Sequence, residues 1–119
     1  MKIIVNKEGN IGSVQDQFNA YFPYLKLEFY GLHDAMVKST TVKPFMDPRY
    51  KLNDSRKSVK GGEIAVDDEM TVAQLEKKLY ETFGVHAEVL RKSGNIWLET
   101  TLTSGWTLHQ QNVMGEIIS

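Results

Sequence analysis

Apolar positions recur along this chain with two alternating periods. Ile64 and Val66 alternate with Ala65 and Asp67, the two-residue period of a short strand. Thr71 then precedes Val72, Leu75, Leu79 and Phe83, which share one face of a 3.6-residue helix. Thr71 suits the N-cap, where its hydroxyl can accept from an orphan backbone N–H. Asp67, Asp68 and Glu69 lie just upstream, at the positive end of the helix dipole. Glu76, Lys77, Lys78 and Glu81 take the opposite, polar face, and Gly84 marks the stop, since glycine enters the left-handed cap conformation without a Cβ clash. Val85, Ala87 and Val89 then alternate with His86, Glu88 and Leu90, the pattern of a strand with one buried face. Gly62 to Arg91 therefore reads as strand, helix, strand, joined closely enough for a right-handed βαβ unit.

The same pattern occurs earlier. At an offset of 61, Thr71 maps to Asn10, Val72 to Ile11, Leu75 to Val14, Leu79 to Phe18 and Phe83 to Phe22, and Ile64 and Val66 map to Ile3 and Val5. Beyond the helix the offset is 60, with Leu25, Leu27 and Phe29 against Val85, Ala87 and Val89, and Pro23 stands where the second copy has Gly84. Phe18, Tyr21 and Phe22 make the end of the first helix aromatic and core-like. Tyr24, Lys26, Glu28 and Tyr30 form the polar face of the strand after it. Two tandem βαβ units predict an α+β fold, a ferredoxin-like split βαβ sandwich in a single domain spanning residues 1–119. A β-grasp arrangement is the alternative.

Residues 31–62 form an irregular insertion between the units. Met36 to Val42 has a weak strand pattern, Pro44 and Pro48 argue for loop, Asn53-Asp54-Ser55 signals a turn, and Gly61-Gly62 closes the segment. After Arg91, Lys92-Ser93-Gly94-Asn95 predicts a tight reversal into a strand over 96–101. Thr107 and Gln110 have the spacing of a capping box, opening a C-terminal helix to about Glu116. Trp97, Trp106, Leu108, Val113 and Ile117 are expected to pack this helix against an edge or the open face of the sheet.

Composition narrows the function classes. A chain of 119 residues can bury roughly two-thirds of its unfolded surface, enough for a core without cross-links. There is no cysteine, which removes disulfides and thiolate chemistry. The opening residues hold an apolar run too short for a signal peptide, and no run has membrane length. A soluble cytoplasmic protein without membrane association is the expectation. Net charge is −1, but unevenly spread. Residues 31–62 carry seven Lys or Arg against three Asp, whereas residues 63–119 carry four basic against nine acidic residues.

Candidate chemistry is sparse. His33, His86 and His109 have no metal-ligand spacing. His86 and Glu88 share a strand face but are too few for a metal site and read as a solvated pair. Asp67-Asp68-Glu69 lacks the alternating ligands and glycine of a calcium loop. Gly9-Asn10-Ile11-Gly12 lacks both the P-loop Lys-Ser/Thr and the dinucleotide fingerprint, so capping accounts for it better. No nucleophile pattern surrounds the serines. No metal or other cofactor and no catalytic residue is assigned, and the reading leans away from an enzyme. A ferredoxin-like sheet binds RNA through aromatics on its central strands, here 2–5 and 63–67, and neither carries one. The basic insertion, with Arg49, Arg56 and Lys57 and with Phe45 and Tyr50 interleaved, is a candidate phosphate tracker. A near-neutral chain is nonetheless a poor polyanion binder overall. Trp97 and Trp106 lie outside the repeated core and are candidate contacts for a protein partner.

Gly94-Asn95-Ile96-Trp97-Leu98-Glu99-Thr100-Thr101, then Trp106-Thr107-Leu108 and Gln111-Asn112, resemble a family of short uncharacterised bacterial proteins. Phe22-Pro23-Tyr24-Leu25-Lys26 and the Thr71-Val72 to Leu75-Glu76 run are similar to it too. The resemblance spans most of the chain except 31–62 and implies a small, freestanding bacterial protein. It carries no catalytic residue across. The favoured function is a small cytoplasmic non-enzymatic protein-binding or adaptor protein, with self-association through a sheet edge included. The alternatives are a nucleic-acid-binding accessory using residues 31–62, and an enzyme acting on a small ligand between the last helix and the sheet.

Overall fold

Every strand and helix expected of the two repeated units forms. The computed structural model describes residues 1–6, 8–30, 45–52 and 61–119; the weak strand pattern at Met36–Val42 and the Asn53-Asp54-Ser55 turn lie outside them. In chain order come Lys2–Val5 (β1), Ile11–Tyr21 (α1), Leu25–Tyr30 (β2), Gly62–Ala65 (β3), Val72–Phe83 (α2), His86–Ser93 (β4), Ile96–Glu99 (β5) and Leu108–Ile118 (α3). The protein is α+β. Strand β5 stops two residues earlier than its pattern predicts, because Thr101–Thr103 turn into a 3-10 helix.

The caps set the helix limits. Asn10 accepts from Ser13 N–H at 2.9 Å, and Thr71 and Thr107 each close a full capping box with Gln74 and Gln110. Gly84 ends α2 at φ 75°, a conformation that costs any residue with a Cβ. Asp67, expected to complement the helix dipole, instead uses Oδ1 to accept from the N–H groups of Glu69 and Met70 at 2.9 and 3.0 Å, fixing the turn ahead of α2.

The strands divide into two antiparallel sheets, β1-β3 and β2-β4-β5. This corrects the single ferredoxin-like sheet, in which β2 would lie beside β3. Each βαβ unit splays its two strands into different sheets, and each strand pairs with its counterpart in the other unit. The registers show this directly: Ile3 pairs with Ile64 and Glu28 with Glu88. Those are the offsets of 61 and 60 at which the sequence repeats, so the two units face each other about a pseudo-twofold axis through both pairs.

The equivalence also extends beyond the pattern read from the sequence. Ile11 and Gly12 N–H donate to the carbonyls of Tyr50 and Pro48, and Val72 and Ala73 N–H donate to those of Trp106 and Ser104. Leu52 N–H donates to Gly9 O, and Leu108 N–H to Met70 O. Segment 48–52 is thus the counterpart of 104–108. Each segment satisfies orphan N–H groups in the first turn of its unit's helix and ends in a buried leucine, Leu52 or Leu108. One apolar core joins the units, with Ile3, Phe18, Leu27, Leu75, Phe83 and Val89 among its members. No helix among the described residues is long and apolar enough to cross a membrane.

Candidate interaction surface

Helix α3 follows segment 104–108 directly, and its placement rests on three contacts. His109 N–H donates to Asp68 O at 3.0 Å, alongside the Leu108–Met70 bond, so the loop before α2 satisfies the first turn of α3. Asn112 Oδ1 accepts from Tyr24 N–H at 3.0 Å. Gly115 closes on the sheet so tightly that a Cβ there would lie 2.8 Å from Tyr24 Cβ and 3.1 Å from Tyr24 O. Beneath the helix, Gln111 is fully buried. It donates to Thr103 O and Oγ1 at 2.8 and 2.9 Å and accepts from Arg91 Nη1 at 2.9 Å. Arg91 Nε is buried without an acceptor among the described residues. Its guanidinium lies 5.6 Å from the Trp106 ring centroid, a cation–π geometry that partly replaces lost hydration.

The outward side of α3 mixes polar His109, Gln110 and Glu116 with exposed apolar side chains. Trp106 and Val113 are each 37% exposed and Ile117 71%. Trp106, His109, Gln110, Val113 and Met114 line a groove of about 410 Å³. The Trp106 backbone is structural, since its carbonyl receives Val72 N–H at the start of α2, while its ring forms one wall of the groove. At the rim, His109 Nδ1 lies 4.0 Å from Asp68 Oδ2. The charge of Asp68, together with a hydrogen bond to it, holds the Tyr21 phenol above its ordinary pKa.

The two tryptophans are not brought together. Trp97 pairs with Lys92 across β4-β5, on the opposite face of the sheet from Arg91 and α3. There Lys26 Nζ lies 5.8 Å from its ring centroid, and Gln15, Asp16, Asn19, Lys26 and Trp97 border a smaller cleft of about 230 Å³. Trp97 therefore does not anchor α3, and Trp106 does so only in part. Arg49, its side chain 90% exposed, pairs with Asp47 through Nε at 3.1 Å and Nη2 at 3.0 Å. That pairing and the Arg49 backbone N–H lower the Asp47 pKa to about 2. Arg56 and Lys57 lie outside the described residues.

Glu28 and Glu88 are both buried, directly opposite each other on β2 and β4. Glu88, read from the sequence as half of a solvated pair with His86, is thus enclosed and accepts from Thr101 Oγ1 at 3.1 Å. Glu28 has Lys26 Nζ at 2.8 Å and Gln15 Nε2 at 3.2 Å. Such donors offset the cost of burying like charges opposite each other. His86 stacks between the rings of Tyr30 and Tyr80, at 5.4 and 4.7 Å. Among the described residues no three His, Asp or Glu side chains converge as a metal ion would need.

The strand edges complete the surface. In β1, Ile4 N–H donates to Gln17 Oε1 and Gln17 Nε2 to Ile4 O, both at 2.8 Å. In β3, Ala65 O accepts from Lys78 Nζ at 3.0 Å. In β2, the outward carbonyls of Leu25, Leu27 and Phe29 accept from Asn19 Nδ2, Gln15 Nε2 and Met46 N–H, respectively. Strand β5 has no such cover among the described residues. Sequence reasoning missed its openness and the role of Gln111. The one available signal, a shared aromatic-x-Leu in Tyr50-Lys51-Leu52 and Trp106-Thr107-Leu108, would have placed Trp106 at the start of α2. No protein-family model matches the chain, and no curated protein or solved structure matches it either.

Proposed function

We propose that this protein is a small non-enzymatic binding module that presents the outer face of α3 and the adjoining β5 region to another protein. One observation carries the reading: a groove walled by Trp106, Val113 and Met114 stays exposed on a helix whose inner face is locked to the sheet. Grooves of this kind accept an apolar segment of a partner, and an aromatic at the centre of such a patch supplies a disproportionate share of binding energy. For the nucleic-acid alternative, the charge of Arg49 is offset locally by Asp47, 3.0 Å away.

The test compares the wild type with Val113→Asp/Ile117→Lys in affinity capture from host lysate, with and without nuclease. Both positions are exposed, so the thermal transition should not move. The expected result is a stoichiometric, nuclease-resistant partner that the double variant loses. Equal capture by both proteins, or no protein captured by the wild type, overturns the proposal. Capture abolished by nuclease replaces it with the nucleic-acid reading.

A further inference from the structure

Among the described residues the two sheets have four outer edges: Gln17 of α1 covers β1, Asn19 and Gln15 of α1 with Met46 cover β2, and Lys78 of α2 caps β3 at Ala65 O. The fourth belongs to β5. Lys92 N–H donates to Tyr24 O, which turns the Lys92 backbone toward β2. Its partner Trp97 must then aim its own N–H and C=O away from β4, because residues in a non-hydrogen-bonded antiparallel pair point outward. Glu99, two residues on and opposite Leu90, does the same. An open edge with unpaired backbone groups is a template for another strand, and natural proteins ordinarily cover it. No side chain or backbone group covers this edge among the described residues, and Ile96 and Leu98 are 58% and 38% exposed beside it.

We propose that β5 pairs antiparallel with β5 of a second copy of this chain, in a register centred on Leu98. Residue 97 of each copy then lies opposite residue 99 of the other, and about four main-chain hydrogen bonds form between them. The sheet becomes continuous, β2-β4-β5-β5-β4-β2. Charge complementarity selects this occupant and this register. On one sheet face, Lys26 and Lys92 flank Trp97, and Glu99 is exposed with no ion pair among the described residues. The register sets each Glu99 against the other copy's Trp97, within reach of its Lys92. On the other face Leu98 meets Leu98, covering part of the apolar surface beside α3. Shifting the centre by one residue toward the C-terminus would oppose Glu99 to Glu99, a repulsive pair. A four-residue strand buries little area, so the dimer is weak and reversible. The inference rests on the binding-module reading in placing the interface beside α3, but uses a different element.

Sedimentation velocity of the full chain, from about 10 µM to 1 mM, tests this. The wild type should show a concentration-dependent shift toward dimer. Glu99→Pro removes an outward N–H without touching a β4-β5 hydrogen bond and should weaken association at least about tenfold, with the far-UV spectrum unchanged. Glu99→Lys should also weaken it, and Glu99→Lys/Lys92→Glu should restore it. This charge reversal keeps the proposal testable even where proline disturbs the strand. A wild type that stays monomeric to 1 mM overturns the proposal, as does association unaffected by both Glu99 variants. A monomeric protein that loses a captured partner through Glu99→Pro also overturns it, in favour of strand addition by that partner. Partner capture that persists in a monomeric wild type leaves the α3 reading standing while the dimer falls.

Discussion

Replacing Gly115 by alanine sets helix propensity against packing, and the structure decides the sign. In an exposed helix interior the change would stabilise by about 1 kcal/mol, because alanine loses less backbone entropy. At Gly115 the new Cβ would sit 2.8 Å from Tyr24 Cβ, 3.1 Å from Tyr24 O and 3.3 Å from Arg91 Cγ. The first two atoms are fixed by the backbone before β2 and cannot swing aside. Ordinary contact requires α3 to withdraw by roughly 0.6–1 Å, and overpacking of this kind costs about 1–3 kcal/mol. Withdrawal also stretches the bonds from Tyr24 N–H to Asn112 and from Arg91 to Gln111, 3.0 and 2.9 Å long, each contributing about 0.5–1.5 kcal/mol. The net expectation is a loss of roughly 1–2 kcal/mol, read as a lower urea midpoint at unchanged m-value. The melting temperature should fall by roughly 4 °C or more. A Gly115→Ala protein more stable than the wild type would refute the close approach of α3 to the sheet.

Two further predictions concern polar groups. Gln111→Ala removes both bonds to Thr103 and the acceptor of Arg91, leaving a guanidinium whose Nε already lacks a partner; the expected loss is about 2–4 kcal/mol in urea unfolding, and a change within about 0.5 kcal/mol would show that Gln111 is not the strut described. Asp47 should titrate near pH 2 by carboxyl-detected NMR, below its ordinary 3.8, and Arg49→Ala should return it toward the ordinary value. Because the folded-state pKa is the lower one, the pair's contribution is present above pH 4 and disappears as pH falls through 2. An unmoved midpoint in Arg49→Ala would show that the ion pair does not form in solution.

The limits and caps of the repeated elements were legible because they depend on local chemistry. Asn10, Thr71 and Thr107 cap with their own side chains, Gly84 needs no neighbour to turn left-handed, and the apolar faces of both helices follow a period of 3.6. The repeat was legible for the same reason. How its copies meet was not, since pairing between β2 and β4 is a choice among edges that the period-2 patterns of all strands satisfy equally. The burial of Glu88 shows the same gap: alternation marks it polar, and only the opposing strand and Thr101 make it an enclosed acceptor. Segment 48–52 escaped notice because its offset from 104–108 is 56 rather than 60, and its kinship lies in backbone hydrogen bonds that any residue can make.

The candidate surface divides in the same way. Sequence alone singled out Trp97 and Trp106 as residues outside the repeated core, and it capped the helix that carries the exposed groove. Tertiary structure placed the two rings on opposite faces of one sheet, because alternate residues of a strand point to opposite sides and Arg91 holds α3 to only one of them. Tertiary structure also left β5 as the open edge. Covering an edge depends on which side chains arrive there from distant elements, as Gln15, Gln17, Asn19 and Lys78 do for the other strands, and no local pattern in Ile96–Glu99 records that none arrives from the described residues.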